Sequence, residues 1–291
     1  MRKILSLGMG VLFALAMVGS GAEAAEVGQG KSFHGPTGLQ LYSLRDQFKQ
    51  QGVAPVLDQV RDWGFKYVEV AGTYGMTPAE FKAELDKRSL VPIGCHFPYD
   101  RLRDDIDGVI RDAQALGLRY VGCAWINHQS PFDEKQCRAT AEVFNRAGKA
   151  VAEQGMKFFY HNHGYEFYPH EQGTLFDLLV AETDPRYVAF QMDVLWTVFP
   201  GQDPAKLLEK YPDRWLLVHL KDIKKGVPTG SLAGHTELTN DVPLGSGQVD
   251  WPALFRASQK VGVKYYFIED ESPTVMEQIP QSLRFLEQLE F

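Results

Sequence analysis

The sequence predicts an α/β protein whose fold is a (β/α)8 TIM barrel. Short apolar runs alternate regularly with longer amphipathic segments, in which apolar residues recur at three- and four-residue spacing. Eight such pairs fit within the 291 residues. A doubly wound sheet would require a glycine-rich phosphate loop after the first strand, and the first strand here runs into Tyr42-Ser43-Leu44 instead. The repeated strand–helix order therefore favours the barrel.

The predicted strands follow one another at regular intervals. In chain order they are GLQLYSL at 38–44, KYVEVAG at 66–72, PIGCHF at 92–97, YVGCAWI at 120–126, KFFYHNH at 157–163, VAFQMDV at 188–194, WLLVHLKD at 215–222 and YYFIED at 265–270. Helical patterns lie between them, for example at 78–90, 103–118, 133–155 and 204–213. Gly117 and Gly262 follow such helices and are typical of left-handed helix caps.

Residues 1–24 are predicted to be a signal peptide. Arg2 and Lys3 precede the apolar run LSLGMGVLFALAMVG, and Ala22-Glu23-Ala24 has the small-x-small pattern of a cleavage site. The run is too short and too rich in glycine for a membrane span, so no stable membrane insertion is expected. Residues 25–291 are then expected to form one barrel domain, exported to the periplasm or secreted.

The charge distribution argues against a nucleic-acid partner. The formal net charge is −7, and no block of lysine and arginine is long enough to follow a phosphate backbone.

The segment 225–249 after the seventh strand is rich in Gly, Thr, Ser and Pro, which predicts a long loop. Loops at the carboxyl end of a barrel carry the active site, so this loop is a candidate lid.

Polar residues end three consecutive predicted strands. Asp193 ends the sixth strand, His219 lies near the end of the seventh, and Glu269 ends the eighth. One such residue is usually a hydrogen-bonded loop residue, but carboxylates and imidazoles are costly at the ends of several buried strands unless something binds them. Neighbouring strands of a barrel bring these ends together, which predicts a divalent-metal site.

The fifth strand ends in a denser polar cluster. His161 and His163 share one face because side chains alternate along a strand, whereas Asn162 points the other way. Glu166 follows in the next loop. By the same alternation, Lys221 faces inward if His219 does. The fifth strand thus adds His161, His163 and Glu166 to the candidate site residues.

Several motifs together resemble the sugar-phosphate isomerase/epimerase superfamily with the xylose isomerase-like barrel, which includes ketose 3-epimerases, inosose dehydratases and endonuclease IV. The motifs are Gln40-Leu41-Tyr42-Ser43-Leu44-Arg45, Tyr160-His161-Asn162-His163-x-x-Glu166-Phe167, Asp193-x-x-Trp196, Val218-His219-Leu220-Lys221-Asp222, Leu244-Gly245-x-Gly247-x-Val249-Asp250-Trp251 and Ile268-Glu269. Each motif alone is weakly specific. Their order and spacing carry the resemblance, which spans nearly the whole chain after residue 24.

The resemblance implies a divalent ion, Mn2+, Co2+, Mg2+ or Zn2+, held by Glu, Asp, His and Glu from strands five to eight. Asp193, His219 and Glu269 match the last three positions. The fifth strand departs from the pattern, because His161 stands where the epimerases carry glutamate. Either His161 takes over as a ligand or Glu166 reaches in from the loop. Since the glutamates of the epimerases also move the proton, this departure puts simple 3-epimerisation in doubt.

A metal bound by a sugar ketone and its neighbouring hydroxyl acidifies the adjacent C–H. We expect His163 or Glu269 to remove that proton, with His161 as a further candidate base, since imidazole titrates near neutral pH. Lys221 is expected either to hold or protonate a substrate oxygen or to pair with a carboxylate nearby. Return of the proton at another carbon gives an isomer or epimer, and loss of a β-substituent gives a lyase.

Aromatic residues near the strand ends are candidate platforms for a sugar. Trp196 and Trp125 are expected in the pocket, because flat rings stack on the C–H faces of sugars, with Tyr42 as a further candidate. His96 ends the third strand and is a second-rank candidate. Arg45 is expected to bind a substrate carboxylate or phosphate or, equally, to pair with a loop acid.

The sequence supports one main function and three alternatives. The main prediction is an exported, metal-dependent isomerase or epimerase acting on a sugar without phosphate, since sugar phosphates are mainly cytoplasmic. The alternatives are a keto-glycoside lyase or dehydratase, a non-catalytic sugar-binding barrel, and a DNA-repair nuclease, the last being disfavoured by the acidic balance. The expected partner is a small carbohydrate. The sequence leaves the oligomeric state open, with a homodimer as one alternative because barrels of this type often pair.

Overall fold

Eight parallel strands close into a barrel in the computed structural model, which describes residues 27–291. The strands are β1 Thr37–Gln40, β2 Tyr67–Val70, β3 Val91–His96, β4 Tyr120–Cys123, β5 Lys157–His161, β6 Val188–Asp193, β7 Trp215–Leu220 and β8 Tyr265–Ile268. Each strand pairs with its neighbours in sequence, and β8 pairs with β1 to close the barrel. The predicted fold class is confirmed. The predicted signal peptide lies outside the described residues.

Helices surround the barrel and connect its strands. They are α1 Arg45–Gln51, α2 Val53–Asp62, α3 Pro78–Asp86, α4 Tyr99–Asp104, α5 Ile106–Leu116, α6 Glu134–Glu153, α7 Leu175–Glu182, α8 Val194–Val198, α9 Pro204–Lys210, α10 Trp251–Val261 and α11 Val275–Gln288. Local signals fix their ends: Thr77 and Glu80 form a capping box at α3, while Gly117 and Gly262 end α5 and α10 in the left-handed conformation. From residue 27 onward, none of these helices has both the length and the apolar character to cross a bilayer.

The lower half of the barrel interior, towards the amino ends of the strands, is apolar. Ile93, Phe159, Leu217 and Phe267 form a buried cluster there. Gly122 of β4 leaves room for the Phe159 ring, since a Cβ on Gly122 would lie 2.2 Å from it. Large rings and small residues therefore interlock across facing strands, which gives the barrel a close-packed floor.

The upper half of the interior is polar. On β5, β7 and β8, the residues two positions after Phe159, Leu217 and Phe267 are His161, His219 and Glu269, and all three are buried. Successive inward side chains are two residues apart on a strand, so each apolar residue has a polar one directly above it. The polar layer therefore rests on a rigid apolar floor.

The predicted long loop follows β7. A short antiparallel pair, Asp222–Ile223 with Asp241–Val242, ties its two ends together next to the barrel. The middle of the loop crosses the carboxyl end of the barrel, where Ala233 contacts Gly164 after β5 so closely that a Cβ on Gly164 would lie 2.5 Å from the Ala233 oxygen. The loop therefore covers part of the barrel opening.

Candidate functional site

A cavity of about 510 Å³ opens at the carboxyl end of the barrel. Its lining includes the predicted residues Tyr42, His96, Trp125, His161, His163, Trp196 and Glu269. The segment 234–238 of the long loop contributes one wall. His161 and His163 line the same cavity, as strand alternation predicts. The polar upper layer of the barrel thus forms the floor of a pocket of the size that small-molecule ligands occupy.

Three predicted metal ligands converge at this floor. Asp193, His219 and Glu269 are buried, and each offers a ligand atom within 4.8 Å of the other two. The Nδ1 atom of His219 lies 2.5 Å from Glu269 Oε2 and 3.9 Å from Asp193 Oδ2. Neighbouring strands β6, β7 and β8 supply them in turn, so the barrel itself sets their spacing.

One buried acceptor in this group lacks a partner. Asp193 Oδ2 accepts no hydrogen bond within residues 27–291, and His219 Nδ1 is held only by its ion pair with Glu269. The other oxygen of Asp193 accepts a hydrogen bond from Trp196 N at 2.8 Å, which fixes the carboxylate at the start of α8. An unpaired buried acceptor is costly, and a divalent ion beside it, held also by Glu269 and by His219 once that ring has lost its Nδ1 proton, would satisfy it. The donor set therefore fits a metal.

A carboxylate that the sequence analysis did not identify lies behind His219. Glu69 on β2 is fully buried and accepts hydrogen bonds from Gln40 Nε2 at 2.5 Å and Gln191 Nε2 at 2.8 Å. It also contacts His219 Nε2. Burial opposes its ionisation, yet the imidazoles of His96 and His219 hold the pKa of Glu69 below its ordinary value. Glu69 thus orients His219 so that Nδ1 faces Asp193 and Glu269.

The electrostatics of His219 favour a cation at its Nδ1. Burial alone would lower its pKa, but the charges of Glu69 and Glu269 on its two sides raise the pKa to about 10. The same negative charges attract any cation placed beside the ring. Metal binding would then displace a proton from His219.

His161 is the strand-five residue that faces the metal group. Its Nε2 lies 3.9 Å from Asp193 Oδ2, and its Nδ1 lies 3.2 Å from Gln191 Oε1. The Nε2 atom of His96 lies 2.9 Å from the same oxygen of Gln191. Ligand atoms of His96, His161 and His219 also lie within 4.8 Å of one another. His161 therefore has the geometry to complete the shell around Asp193, His219 and Glu269.

Glu166, by contrast, does not reach the metal group, and its prediction as a ligand is corrected. Its carboxylate accepts hydrogen bonds from the Tyr160 hydroxyl and from the His163 backbone N–H, at 3.0 and 3.1 Å from its two oxygens. Tyr160 points away from the barrel interior and packs on Phe144 of α6. The chain turns outward after β5, and burial there raises the pKa of Glu166 to about 7. Glu166 therefore shapes the β5 loop.

His163 lies further out along the cavity wall. Its Nδ1 is buried without a hydrogen-bond partner in the described part of the chain. Burial, assisted by the charge of Lys221, lowers the pKa of His163 to about 3, so the ring is neutral near pH 7. The rings of Trp125 and Trp196 lie 5.1 and 5.4 Å from it and fix its orientation. His163 thus contributes a neutral ring to the cavity wall.

The two cations of the site are paired with carboxylates. Lys221 is buried, with Nζ 2.6 Å from Glu271, 3.3 Å from Glu269 and 3.7 Å from Asp241. Burial opposes its charge, but these carboxylates raise the pKa of Lys221 well above its ordinary value. Arg45 lies 3.1 Å from Glu271, which is the loop-acid alternative considered for it. Asp241 and Glu271 were not identified from the sequence.

Other proteins resemble this chain in sequence and in fold. An inosose dehydratase from Clostridium botulinum is 25% identical over 249 residues, covering 76% of this chain and 82% of that protein. A solved sugar phosphate isomerase/epimerase from Parabacteroides distasonis superposes with a TM-score of 0.71 at 24% identity, covering 88% and 95% of the two chains. The IOLI protein, solved with a bound zinc atom, superposes with a TM-score of 0.66 at 13% identity, covering 87% and 95%.

The family comparison covers most of the chain. The model of the family described as the xylose isomerase-like TIM barrel matches residues 57–289, which include β2 to β8, part of α2 and all of the predicted metal group. That span agrees with the barrel closure and with the polar layer at its carboxyl end. The chain therefore belongs to the xylose isomerase-like TIM barrel family.

Proposed function

We propose that this chain is an exported, divalent-metal-dependent enzyme that removes a proton next to a carbonyl in a sugar or keto-sugar without phosphate, and so isomerises or epimerises it. The observation that carries the proposal is the convergence of Asp193, His219 and Glu269, whose buried ligand atoms lie within 4.8 Å of one another and include the unpartnered Asp193 Oδ2. Proteins named inosose dehydratase and sugar phosphate isomerase/epimerase resemble this chain, which supports carbohydrate chemistry.

His161, Asp193, His219 and Glu269 would hold the ion. When bound there, a divalent metal polarises a substrate carbonyl and acidifies the neighbouring C–H. The zinc atom of the IOLI protein supports Zn2+ as one candidate, beside Mn2+, Co2+ and Mg2+. The nitrogen and oxygen donors suit each of these metals. Glu69 keeps the His219 ring oriented for this role.

His163 Nδ1 is the proposed base. The His163 ring lines the cavity and is neutral, and its Nδ1 has no hydrogen-bond partner within residues 27–291. Glu269 is the other candidate, and the charges of Lys221 and His219 beside it lower its pKa. Lys221 keeps its proton, because three carboxylates surround it, and its charge holds Glu269 in place beside the metal group.

A substrate without phosphate suits the charges of the cavity. Asp241, Glu269 and Glu271 line it, whereas neither Lys nor Arg belongs to its lining in the described structure. The nearby cations Lys221 and Arg45 are already paired with those carboxylates. A phosphate group would therefore meet net negative charge.

Elimination is the second candidate, and the names of the relatives favour it. Inosose dehydratases from several bacteria align with this chain, among them one from Lacticaseibacillus casei at 26% identity over 265 residues. A dehydratase or keto-glycoside lyase would use the same base and metal, and would differ only in losing a β-substituent. The products therefore separate the two candidates.

Chelator-treated protein tests the metal requirement. It is incubated with a panel of free sugars, keto-sugars and keto-glycosides, without metal and after adding Mn2+, Co2+, Mg2+ or Zn2+. We expect turnover only with metal, together with solvent deuterium entering the product at carbon. Full activity without metal would contradict the proposed mechanism.

Two variants locate the base and separate enzyme from binding protein. We expect His163→Gln to retain metal and to lose deuterium incorporation, whereas Glu166→Gln, a nearby carboxyl outside the cavity, retains both. Sugar binding by calorimetry without any deuterium incorporation in the metal-loaded wild type would favour the non-catalytic sugar-binding barrel.

A further inference from the structure

The cavity entrance gathers the exposed apolar side chains of the protein. Within residues 27–291, the large hydrophobic side chains that are exposed are Tyr42, Trp125 and Leu238, at 44%, 46% and 45%. All three line the same cavity. Single exposed apolar residues are ordinary on protein surfaces, but their concentration around one opening indicates a binding surface. We call Tyr42, Trp125 and Leu238 the rim.

The Trp125 ring is held in place from behind. Edge-to-face contacts join it to Tyr165 and His163, with ring centroids 5.0 and 5.1 Å apart. The long loop presses against it as well, because a Cβ on Gly234 would lie 2.6 Å from the ring. Almost half of this fixed ring still faces solvent. A ring that is already immobilised loses little entropy when a ligand stacks on it.

Tyr42 is fixed in a similar way on the opposite side of the entrance. The Arg45 guanidinium lies 4.3 Å from the centre of its ring, and Arg45 also donates to the Tyr42 carbonyl at 3.0 Å. Glu271 holds Arg45 in turn, at 3.1 Å. One face of the Tyr42 ring is thus covered by a cation, while 44% of the residue stays exposed. The rim is therefore a preformed surface and not a set of loose side chains.

The cavity changes character from floor to entrance. His161 and Glu269 line its polar inner end, with Asp193 and His219 buried against them, whereas the rim is aromatic and aliphatic. A ligand that matches both ends has one strongly polar ring, which reacts at the floor, and a carbon-rich second group, which lies at the rim. The volume of about 510 Å³ falls well within the range of pockets that bind such two-part ligands.

We propose that the rim is a subsite for the group linked to the reacting sugar, so that the substrate is a glycoside and not a free monosaccharide. The inference rests on the proposed function, which places the reacting ring at the metal group. An aromatic aglycone and a second sugar ring share the chemistry that the rim recognises, because both present a flat face of carbon and hydrogen atoms to Trp125 and Tyr42.

Calorimetry with matched glycosides tests the subsite. The metal-loaded protein is titrated with methyl and phenyl glycosides of the same sugar and anomer, and with disaccharides that carry that sugar at the non-reducing end. We expect the phenyl glycoside to bind about three- to tenfold more tightly than the methyl glycoside. Tighter binding of disaccharides alone would identify a second sugar as the occupant, and tighter binding of phenyl glycosides alone would identify an aromatic aglycone.

Variants of Trp125 make the test specific to the rim. We expect Trp125→Ala to reduce the phenyl-to-methyl affinity ratio to about one, whereas Trp125→Phe, which keeps a flat ring, preserves most of it. The subsite would be overturned if, in the wild type, the methyl glycoside bound as tightly as the phenyl glycoside and the disaccharides, or if none of them bound. A ratio that survives in Trp125→Ala would also overturn it.

The metal content of each protein separates this inference from the proposed function. If the wild type binds the larger glycosides more tightly than the methyl glycoside but turnover does not need metal, the proposed mechanism fails and the subsite stands. If turnover needs metal but the ratio is absent, the subsite fails and the mechanism stands. Metal analysis of the same samples also shows whether Trp125→Ala has kept the folded metal group.

Discussion

The lower half of the barrel interior is filled by Phe159, Leu217 and Phe267, whereas the upper half, two residues further along the same strands, holds His161, His219 and Glu269. The lower residues lose water and gain packing contacts, so their burial stabilises the fold. The upper residues lose hydration as well, and they replace it by contacts with one another and, in the proposed function, with a divalent ion. The comparison suggests that one layer provides stability and the other provides chemistry.

The largest effect is expected when the upper layer loses a metal ligand. Asp193→Asn removes the charge at the unpartnered Oδ2 but keeps the side-chain size and the oxygen that caps α8. We expect the affinity of the protein for the metal to fall by about 100-fold or more, and turnover to be lost with it. Metal analysis after dialysis and activity on the same sample check this. Unchanged metal content in Asp193→Asn would show that the group is not a metal site.

The next largest effect is expected in the lower layer. Phe159→Ala leaves a cavity beside Gly94 and Gly122, which cannot fill it. We expect the free energy of unfolding to fall by about 3–5 kcal/mol. Thermal and urea unfolding measure the loss, and metal affinity in the folded variant is expected to stay near that of the wild type. A metal loss as large as that of Asp193→Asn would break the division between the two layers.

Glu166 provides a buried carboxyl outside both layers. Burial raises its pKa from 4.5 to about 7, so between these values the folded protein keeps a proton that the unfolded chain has released. The raised pKa therefore adds about 3 kcal/mol to the free energy of unfolding below pH 4.5. This contribution is lost as the pH rises from 4.5 to 7. We expect the free energy of unfolding of Glu166→Gln to depend less on pH between 4.5 and 7 than that of the wild type.

Urea unfolding of wild type and Glu166→Gln at several pH values between 4 and 8 measures the difference. The variant is also the matched control for Asp193→Asn, because we expect it to keep its metal. Parallel profiles for the two proteins would mean that Glu166 does not titrate in this range.

The smallest effect is expected behind the metal group. Glu69→Gln keeps an oxygen near His219 Nε2 but removes the charge that orients and polarises the ring. Such partners of metal-bound histidines usually contribute 10- to 100-fold to metal affinity, so we expect a loss of about that size. Competition with a chelator of known affinity measures it. No change would assign Glu69 to folding alone.

The fold and half of the site follow from local patterns in the sequence. The spacing of apolar residues predicts the strands, and their order predicts the barrel. Asp193, His219 and Glu269 come together because the carboxyl ends of neighbouring barrel strands must meet. These predictions need no knowledge of side-chain partners, because strand alternation and barrel closure already determine which way each residue points.

Other parts of the site depend on partners distant in sequence. Glu69 lies 150 residues from His219 in the sequence. A single glutamate in an apolar strand is equally consistent with a side chain that faces solvent. The direction of Glu166 depends on how the chain turns after β5, which Tyr160 decides through its hydrogen bond. Neither contact has a local signature.

Asp222 gives the long loop a further property. Its carboxylate accepts hydrogen bonds from the N–H groups of Gly245 and Gly247, at 2.9 and 3.1 Å, and from Trp251 Nε1 at 2.9 Å. Both ends of the loop are thus fastened beside the barrel by a residue adjacent to Lys221. The segment between them carries Leu238 of the rim and Asp241, which lies beside Lys221. Asp222 therefore positions, through a single carboxylate, a loop that reaches from the entrance of the cavity to the buried charges beneath it.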